Sequence, residues 1–187
     1  ATAGAGTRRD GAAAARQQAQ DSEHGVRLFV PTWIERSRGE PSQTVPTGTR
    51  WLVFAGRDPL VDELVAGLRD RGDVVATVSA GSRYEQIAPG RYVVAPESEA
   101  DYDALLRALR AADALPDRIV HLWLADEHPS EASSMLDGAE REQELGFYSL
   151  LGLVKALARH AGGRPVHGDV VSRGAFGAVG EEPLRPA

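Results

Sequence analysis

Apolar residues in this chain fall into short unbroken runs, separated by stretches in which they recur every three or four positions. That alternation predicts strands and helices in turn. Trp51 to Ala55 is a nearly unbroken apolar run, as expected of a parallel strand covered on both faces. Gly56-Arg57-Asp58-Pro59 breaks the run, and Asp58 followed by Pro59 is a cap and first-turn pair for a helix. On that helix Leu60, Leu64 and Leu68, with Val61 and Val65 beside them, form one apolar face. Gly72 supplies the stop after Arg71, and Asp73 to Val78 makes a second strand. A loop through Gly81 leads to a third short strand, Tyr92 to Val94. Ser98 with Asp101 resembles a capping box with Asp in place of Glu, opening a helix whose Leu105, Leu106 and Leu109 face inward. Pro116 ends the connection to a strand over Arg118 to Leu124. The acidic, Ser-rich stretch Ala125 to Gly138 reads as a loop. A long helix from about Ala139 to His160 carries Leu145, Tyr148, Leu151, Leu153 and Leu157, and Gly162-Gly163 terminates it. A final strand, Val166 to Ser172, precedes a glycine-rich tail.

Before these elements, residues 1–24 are rich in Ala, Gly, Gln and Arg with almost no large apolar side chain. Such a stretch does not offset the entropy of ordering and is expected to be an interdomain linker, with at most transient helix around Ala12 to Gln20. Val26 to Trp33, with Leu28, Phe29, Val30 and Trp33, reads as a strand that Pro31 assigns to a sheet edge. Residues 34–49 read as a connecting loop. Strand and helix alternate with short connections, so the expected fold over residues 25–187 is α/β, a doubly wound parallel sheet. No internal repeat is visible.

Composition narrows the function. A chain of 187 residues is long enough for one domain with a proper core, and 42% apolar and 26% charged residues are ordinary for a globular protein. A formal net charge of -6 argues against nucleic acid or an anionic membrane as the main partner. The absence of cysteine excludes disulfides, thiolate metal sites and a cysteine nucleophile, and fits a reducing, cytoplasmic location. No apolar segment approaches the ~20 residues of a membrane span, and the N-terminus lacks the order of a signal peptide. The chain begins with Ala and stops in Glu-Glu-Pro-Leu-Arg-Pro-Ala, as a piece of a longer polypeptide would.

The strand-turn-helix at Arg50 to Leu68 opens like a nucleotide-binding unit. A dinucleotide site there needs about three glycines, as G-x-G-x-x-G, so that backbone approaches a pyrophosphate at the helix N-terminus. Only Gly56 is present. Arg57 and Asp58 place side chains where bare backbone is required, and Asp58 adds a negative charge beside the phosphates. The reading is a Rossmann-like unit without a functional dinucleotide loop and without a cofactor.

Histidines occur at 24, 121, 128, 160 and 167, and no two share a helical face as metal ligands. His121, inside an apolar strand, reads as a satisfied structural histidine, and His128 and His160, beside loops, as solvated. Tyr148 and Lys155 lie seven residues apart, about two helical turns, too far for a Tyr-x-x-x-Lys proton-transfer pair. Helical packing explains Tyr148 more simply. Ser130 to Ser134 lacks the G-x-S-x-G elbow and a base. Glu140, Arg141, Glu142 and Glu144 read as a solvated helix face. Gly174 to Gly180 has no helix behind it to cradle a phosphate. No catalytic, cofactor-binding or metal residue is assigned.

Several blocks, in order, carry a resemblance: Leu28-Phe-Val-Pro-Thr-Trp33, Trp51 to Ala55, Ile119-Val-His-Leu-Trp123, Gly146-Phe-Tyr-Ser-Leu-Leu151, Val170 to Ala175 and Gly180 to Leu184. Over residues 26–187 the chain resembles the structural, non-catalytic subdomain of the ketoreductase of type I polyketide synthases. The resemblance implies two Rossmann-like halves, this one a truncated sheet with a degenerate loop. The other would bind NADPH and carry the serine, tyrosine and lysine that reduce a β-ketoacyl chain held on an acyl carrier protein. This chain lacks the Thr-Gly-Gly-x-Gly loop and the Tyr-x-x-x-Lys pair, so no catalytic residue is carried over, and it stops where the second half or an inserted enoylreductase would start. The implied partners are the catalytic half or adjacent synthase domains, with the carrier protein contacted indirectly. Residues 1–24 would be the linker after an acyltransferase or dehydratase. The scaffold is expected either to pair with a catalytic half or to stand as a pseudo-ketoreductase beside another domain such as a methyltransferase. The rival expectation is a self-contained nucleotide-dependent α/β enzyme. A weaker one, carrier docking at Ala125 to Gly138, is opposed by the acidity of both surfaces.

Overall fold

Leu52, Val53 and Phe54 are completely buried, and the strand that holds them, β1 (Arg50–Phe54), lies inside the sheet. The computed structural model of the chain describes residues 45–56, 58–125 and 135–173. Strand β1 pairs in parallel with β2 (Val74–Ala80) on one side and with β5 (Arg118–Leu124) on the other. Strand β4 (Arg91–Val94) adds in parallel to β2, and β6 (His167–Ser172) in parallel to β5. An antiparallel strand, β3 (Glu85–Ala88), closes the far edge against β4 and gives the order β3-β4-β2-β1-β5-β6.

Alternation along β1 divides the core in two. Trp51 and Val53 face one cluster, completed by Val61, Val65 and Leu68 of helix α1 (Pro59–Asp70) and by Val120 and Leu122. Leu52 and Phe54 face the larger cluster, which gathers Val78, Ile119, Trp123, the Tyr102, Leu105, Leu106 and Leu109 face of α2 (Glu99–Ala111), and Leu153. Helices thus cover both faces, and the α/β, doubly wound, Rossmann-like expectation is borne out. No helix among the described residues is long and apolar enough to cross a membrane.

Two carboxylates fix the start of β1. Asp73 accepts hydrogen bonds from the Thr49 backbone N–H at 3.0 Å, the Trp51 indole at 3.2 Å and Arg71 Nε at 2.9 Å. Burial pushes this carboxyl upward, but the Arg71 guanidinium and the other donors outweigh it and hold it below the usual range. Asp117 accepts from the Arg50 backbone N–H and from Arg50 Nε, both at 3.1 Å, and the Arg50 guanidinium likewise lowers it.

The structure corrects the sequence reading in several places. On the apolar face read for α1, Val61, Val65 and Leu68 are buried and Leu64 packs partly buried against the same cluster, but Leu60 is 53% exposed in the first turn beside the cap. The stretch before Tyr92 contains a strand. Glu85, Gln86 and Ile87 are exposed, so main-chain pairing across a turn at Gly90 (φ 72°) carries β3 where burial leaves no pattern to read. The last helical region begins at α3 (Met135–Gln143), inside the stretch read as a loop to Gly138. It passes through a π-helical turn (Glu144–Tyr148) into α4 (Ser149–His160). Ser149 Oγ lies 2.6 Å from Leu145 O and 3.0 Å from Gly146 O, placing a polar side chain in the wider turn. Leu145, Gly146, Ser149, Gly152, Leu153 and Ala156 face inward, while Tyr148 and Leu151 are exposed. Tyr148 therefore does not pack in the core. The strand Val26 to Trp33 and the linker of residues 1–24 lie outside the described residues.

Candidate functional site

Chain direction across the sheet reverses once near its centre. From β1 the chain runs through α1 to β2 on one side, and from β4 it returns through α2 to β5 on the other. Open α/β sheets bind ligands at such a switch point, beyond the C-terminal ends of the two central strands, here β1 and β5. Trp123 Nε1 donates to Ala55 O at 3.2 Å across that crevice, and the Ala55 N–H donates to Val78 O at 2.8 Å. The Arg173 N–H, just past β6, donates to Leu124 O at 3.1 Å.

The N-terminus of α1 is where a phosphate would rest, on backbone N–H groups and the positive end of the helix dipole. Pro59, the first helical residue, has no N–H. The Leu60 N–H donates to Asp58 Oδ1 at 2.9 Å, and the Val61 N–H donates to Asp58 O at 2.9 Å. The first turn is therefore capped by its own aspartate. The other carboxylate oxygen, Oδ2, accepts from Arg173 Nη2 at 3.2 Å. A carboxylate sits at the helix terminus, and a cation from the far side of the switch point already faces it. The cap was legible in the sequence. Arg173 was not, because 115 residues separate it from Asp58 and nothing local marks the pairing.

The remaining candidates are dispersed. His121 is buried and stacks on Phe54 with ring centroids 5.0 Å apart. Its Nε2 lies 3.0 Å from Ser149 Oγ, and its Nδ1 has no hydrogen-bond partner, so only half of the expected satisfaction is met. With the Ser149 hydroxyl donating to a carbonyl, Nε2–H donates to Oγ, and the orphan is a lone pair on Nδ1. Burial lowers the pKa of this imidazole from 6.5 to about 4.

His160 is not simply solvated: its Nε2 lies 3.0 Å from Asp103 Oδ1 of α2. Lys155 pairs with Glu99 of α2, while Tyr148 is half-exposed and stacks edge-on against Phe147 at 5.4 Å, so the lysine is engaged elsewhere. Arg141 and Glu144 pair on the solvated helix face at 3.0 Å. Among the described residues no group of His, Asp or Glu is arranged to hold a metal ion. His24, Arg57, His128, Ser130 to Ser134, Asp126, Glu127, Glu131 and Gly174 to Gly180 lie outside the described residues. A groove of about 520 Å³, bordered by Thr47, Gly48, Asp117, Arg118 and His167, opens at the opposite end of the sheet, where β1, β5 and β6 begin.

Comparison with known proteins agrees with this architecture. A family model described as beta-ketoacyl synthase-like, N-terminal, matches residues 49–167, more than half of the chain. No curated protein sequence matches. Among solved structures, the adenylation, ketoreductase and pseudo Asub multidomain structure of a keto acid-selecting NRPS module aligns with 82% of this chain at 22% identity and a TM-score of 0.71. An N-terminal ketoreductase from the macrolactin assembly line aligns with 62% at 23% identity and a TM-score of 0.52. At these identities the likeness establishes the fold. The chain spans only 12% and 23% of the length of those two structures.

Proposed function

The chain belongs to the beta-ketoacyl synthase-like, N-terminal family, and from that premise we propose that it is the non-catalytic structural subdomain of a ketoreductase in a multidomain synthase. Its catalytic partner half would bind NADPH and reduce a β-ketoacyl group held on a carrier protein, and this chain would bury one side of that half and hold its helices in place. The observation that carries the reading is the saturated first turn of α1. Leu60 and Val61 spend their N–H groups on Asp58, Pro59 has none, and the Asp58 carboxylate stands where a diphosphate would need bare donors. A self-contained nucleotide-dependent enzyme would need that turn to be open.

Two similar solved structures, a multidomain NRPS structure that includes a ketoreductase and an N-terminal ketoreductase of an assembly line, align with this chain over only 12% and 23% of their own length. That supports adjacent synthase domains as partners, and the proposed location is the cytoplasm. The test is excision. Removing residues 25–187 from the synthase polypeptide is expected to lower the melting temperature of the reductase half and its rate of ketone reduction. Equal stability and an equal rate with and without these residues would overturn the reading.

A further inference from the structure

The groove of about 520 Å³ at the end of the sheet opposite the switch point has one wall made by the turn that precedes β1. Gly48 there has φ 77°, and a Cβ on it would meet no atom within 4 Å, so its backbone is open. Thr49 fixes the turn, its Oγ1 donating to Pro46 O at 2.6 Å and its N–H to Asp73 Oδ1 at 3.0 Å. The N–H groups of Thr47 and Gly48 have no acceptor among the described residues, and neither has the Thr47 hydroxyl.

The other wall starts from a row of register partners on three adjacent strands, Trp51 of β1, Arg118 of β5 and His167 of β6, whose side chains share one face of the sheet. The Arg118 guanidinium lies over the Trp51 ring, 5.6 Å from its centroid, and the indole is itself held by Asp73 at 3.2 Å. That stack fixes the guanidinium fork without neutralising it. The carboxylates nearby are already matched: Asp117 takes Arg50, and Arg164 Nη2 at 2.5 Å, while Asp169 faces His167 at 3.3 Å. Arg118 is left as a cation with no carboxylate partner among the described residues.

Charge and size choose the ligand. One unmatched guanidinium answers one negative charge, and its planar fork meets both oxygens of a carboxylate. A dianion such as a phosphate ester would bring a second charge beside Asp117 and Asp169, where no further cation is free to meet it. The volume is that of a small-molecule site, and Pro165 and Val166 offer apolar surface to the body of the ligand. We propose that the groove between the Thr47-Gly48 turn and Arg118 binds a small organic acid in its carboxylate form, with the guanidinium on the two carboxylate oxygens. The site lies at the far end of the sheet from the first turn of α1 and does not depend on the scaffold role.

The test is an amide NMR titration of the 187-residue chain with benzoate, its neutral counterpart benzamide and the dianion phenyl phosphate. Benzoate is expected to move the signals of Thr47, Gly48 and Arg118 saturably in the millimolar range, and the other two to bind at least tenfold more weakly. Arg118→Ala is expected to weaken benzoate at least tenfold. Arg118→Lys, which keeps the charge and the fold but not the fork, is expected to weaken it several-fold, and Arg83→Ala, exposed before β3, to leave it unchanged. No saturable movement with benzoate, an equal response to benzamide, or wild-type affinity in both Arg118 variants overturns the proposal. Tighter binding of phenyl phosphate makes the groove a phosphate site and overturns it as well. So does an acetylated tri-glutamate amide that binds more tightly than benzoate, since the groove then belongs to an acidic polypeptide.

Discussion

Asp58 and Arg173 meet at 3.2 Å across the mouth of the central crevice, while the same aspartate caps α1 through the Leu60 N–H at 2.9 Å. One carboxylate thus satisfies a helix terminus and ties the crossover after β1 to the chain leaving β6. Replacing Asp58 by Ala is expected to cost about 1 kcal/mol of stability in urea unfolding, the usual worth of an N-cap, whereas Asp58→Ser should keep most of it. An Asp58→Ala variant as stable as the parent would show that the cap contributes nothing.

His121 makes stability depend on pH. It is neutral when folded because burial lowers its pKa from 6.5 to about 4. Between those values the unfolded chain takes up a proton that the folded chain refuses, so stability is level above about pH 6.5 and falls as pH drops toward 4. The shift corresponds to a loss of about 3 kcal/mol over that window. Asp73 and Asp117, whose pKa values are lowered, lose their contribution only further down, as pH falls below the unfolded carboxylate value of 3.8. Urea melts between pH 7 and 4.5 should show the slope, and His121→Leu should flatten it. An unchanged slope in that variant would place the titration elsewhere.

What the sequence disclosed, and what it hid, follows from how local each signal is. The Asp58-Pro59 cap, the Ser98 and Asp101 pair (2.8 Å side chain to side chain) and the buried runs of β1 and β5 are written in adjacent residues and were readable. Strand β3 is held by main-chain pairing with exposed side chains, so no hydrophobic pattern marks it. The buried positions of the last helix, Leu145, Ser149, Gly152, Leu153 and Ala156, follow helical spacing but include a serine, a glycine and an alanine, so a reading led by the large apolar residues places Tyr148 and Leu151 inward when they are exposed. Arg173 and Asp58, like Thr49 with Asp73, pair across long stretches of chain that periodicity does not connect.

Two glycines show how closely the π-helical turn and α4 are seated. A Cβ at Gly152 would lie 2.7 Å from Tyr102 Cδ2, and one at Gly146 would lie 2.9 Å from Leu124 Cδ1. Tyr102 is fully buried, and its hydroxyl donates to Pro96 O at 3.0 Å, so the ring has little freedom to retreat. Gly152→Ala is expected to destabilise the chain by about 1–3 kcal/mol despite the better helix propensity of alanine, as overpacking does. Thermal unfolding measures this, and a stabilised variant would mean that the two helices are free to move apart.

The central claim is that the crossover after β1 has no place for a dinucleotide. Titrating the 187-residue chain with NADPH while following its thermal unfolding tests it most directly, since a ligand that binds the native state at a hundred times its Kd adds about 2.7 kcal/mol. No change in melting temperature up to millimolar NADPH is the predicted result. A saturable rise that disappears when Asp58 or Gly56 is replaced by a bulkier residue would contradict the account.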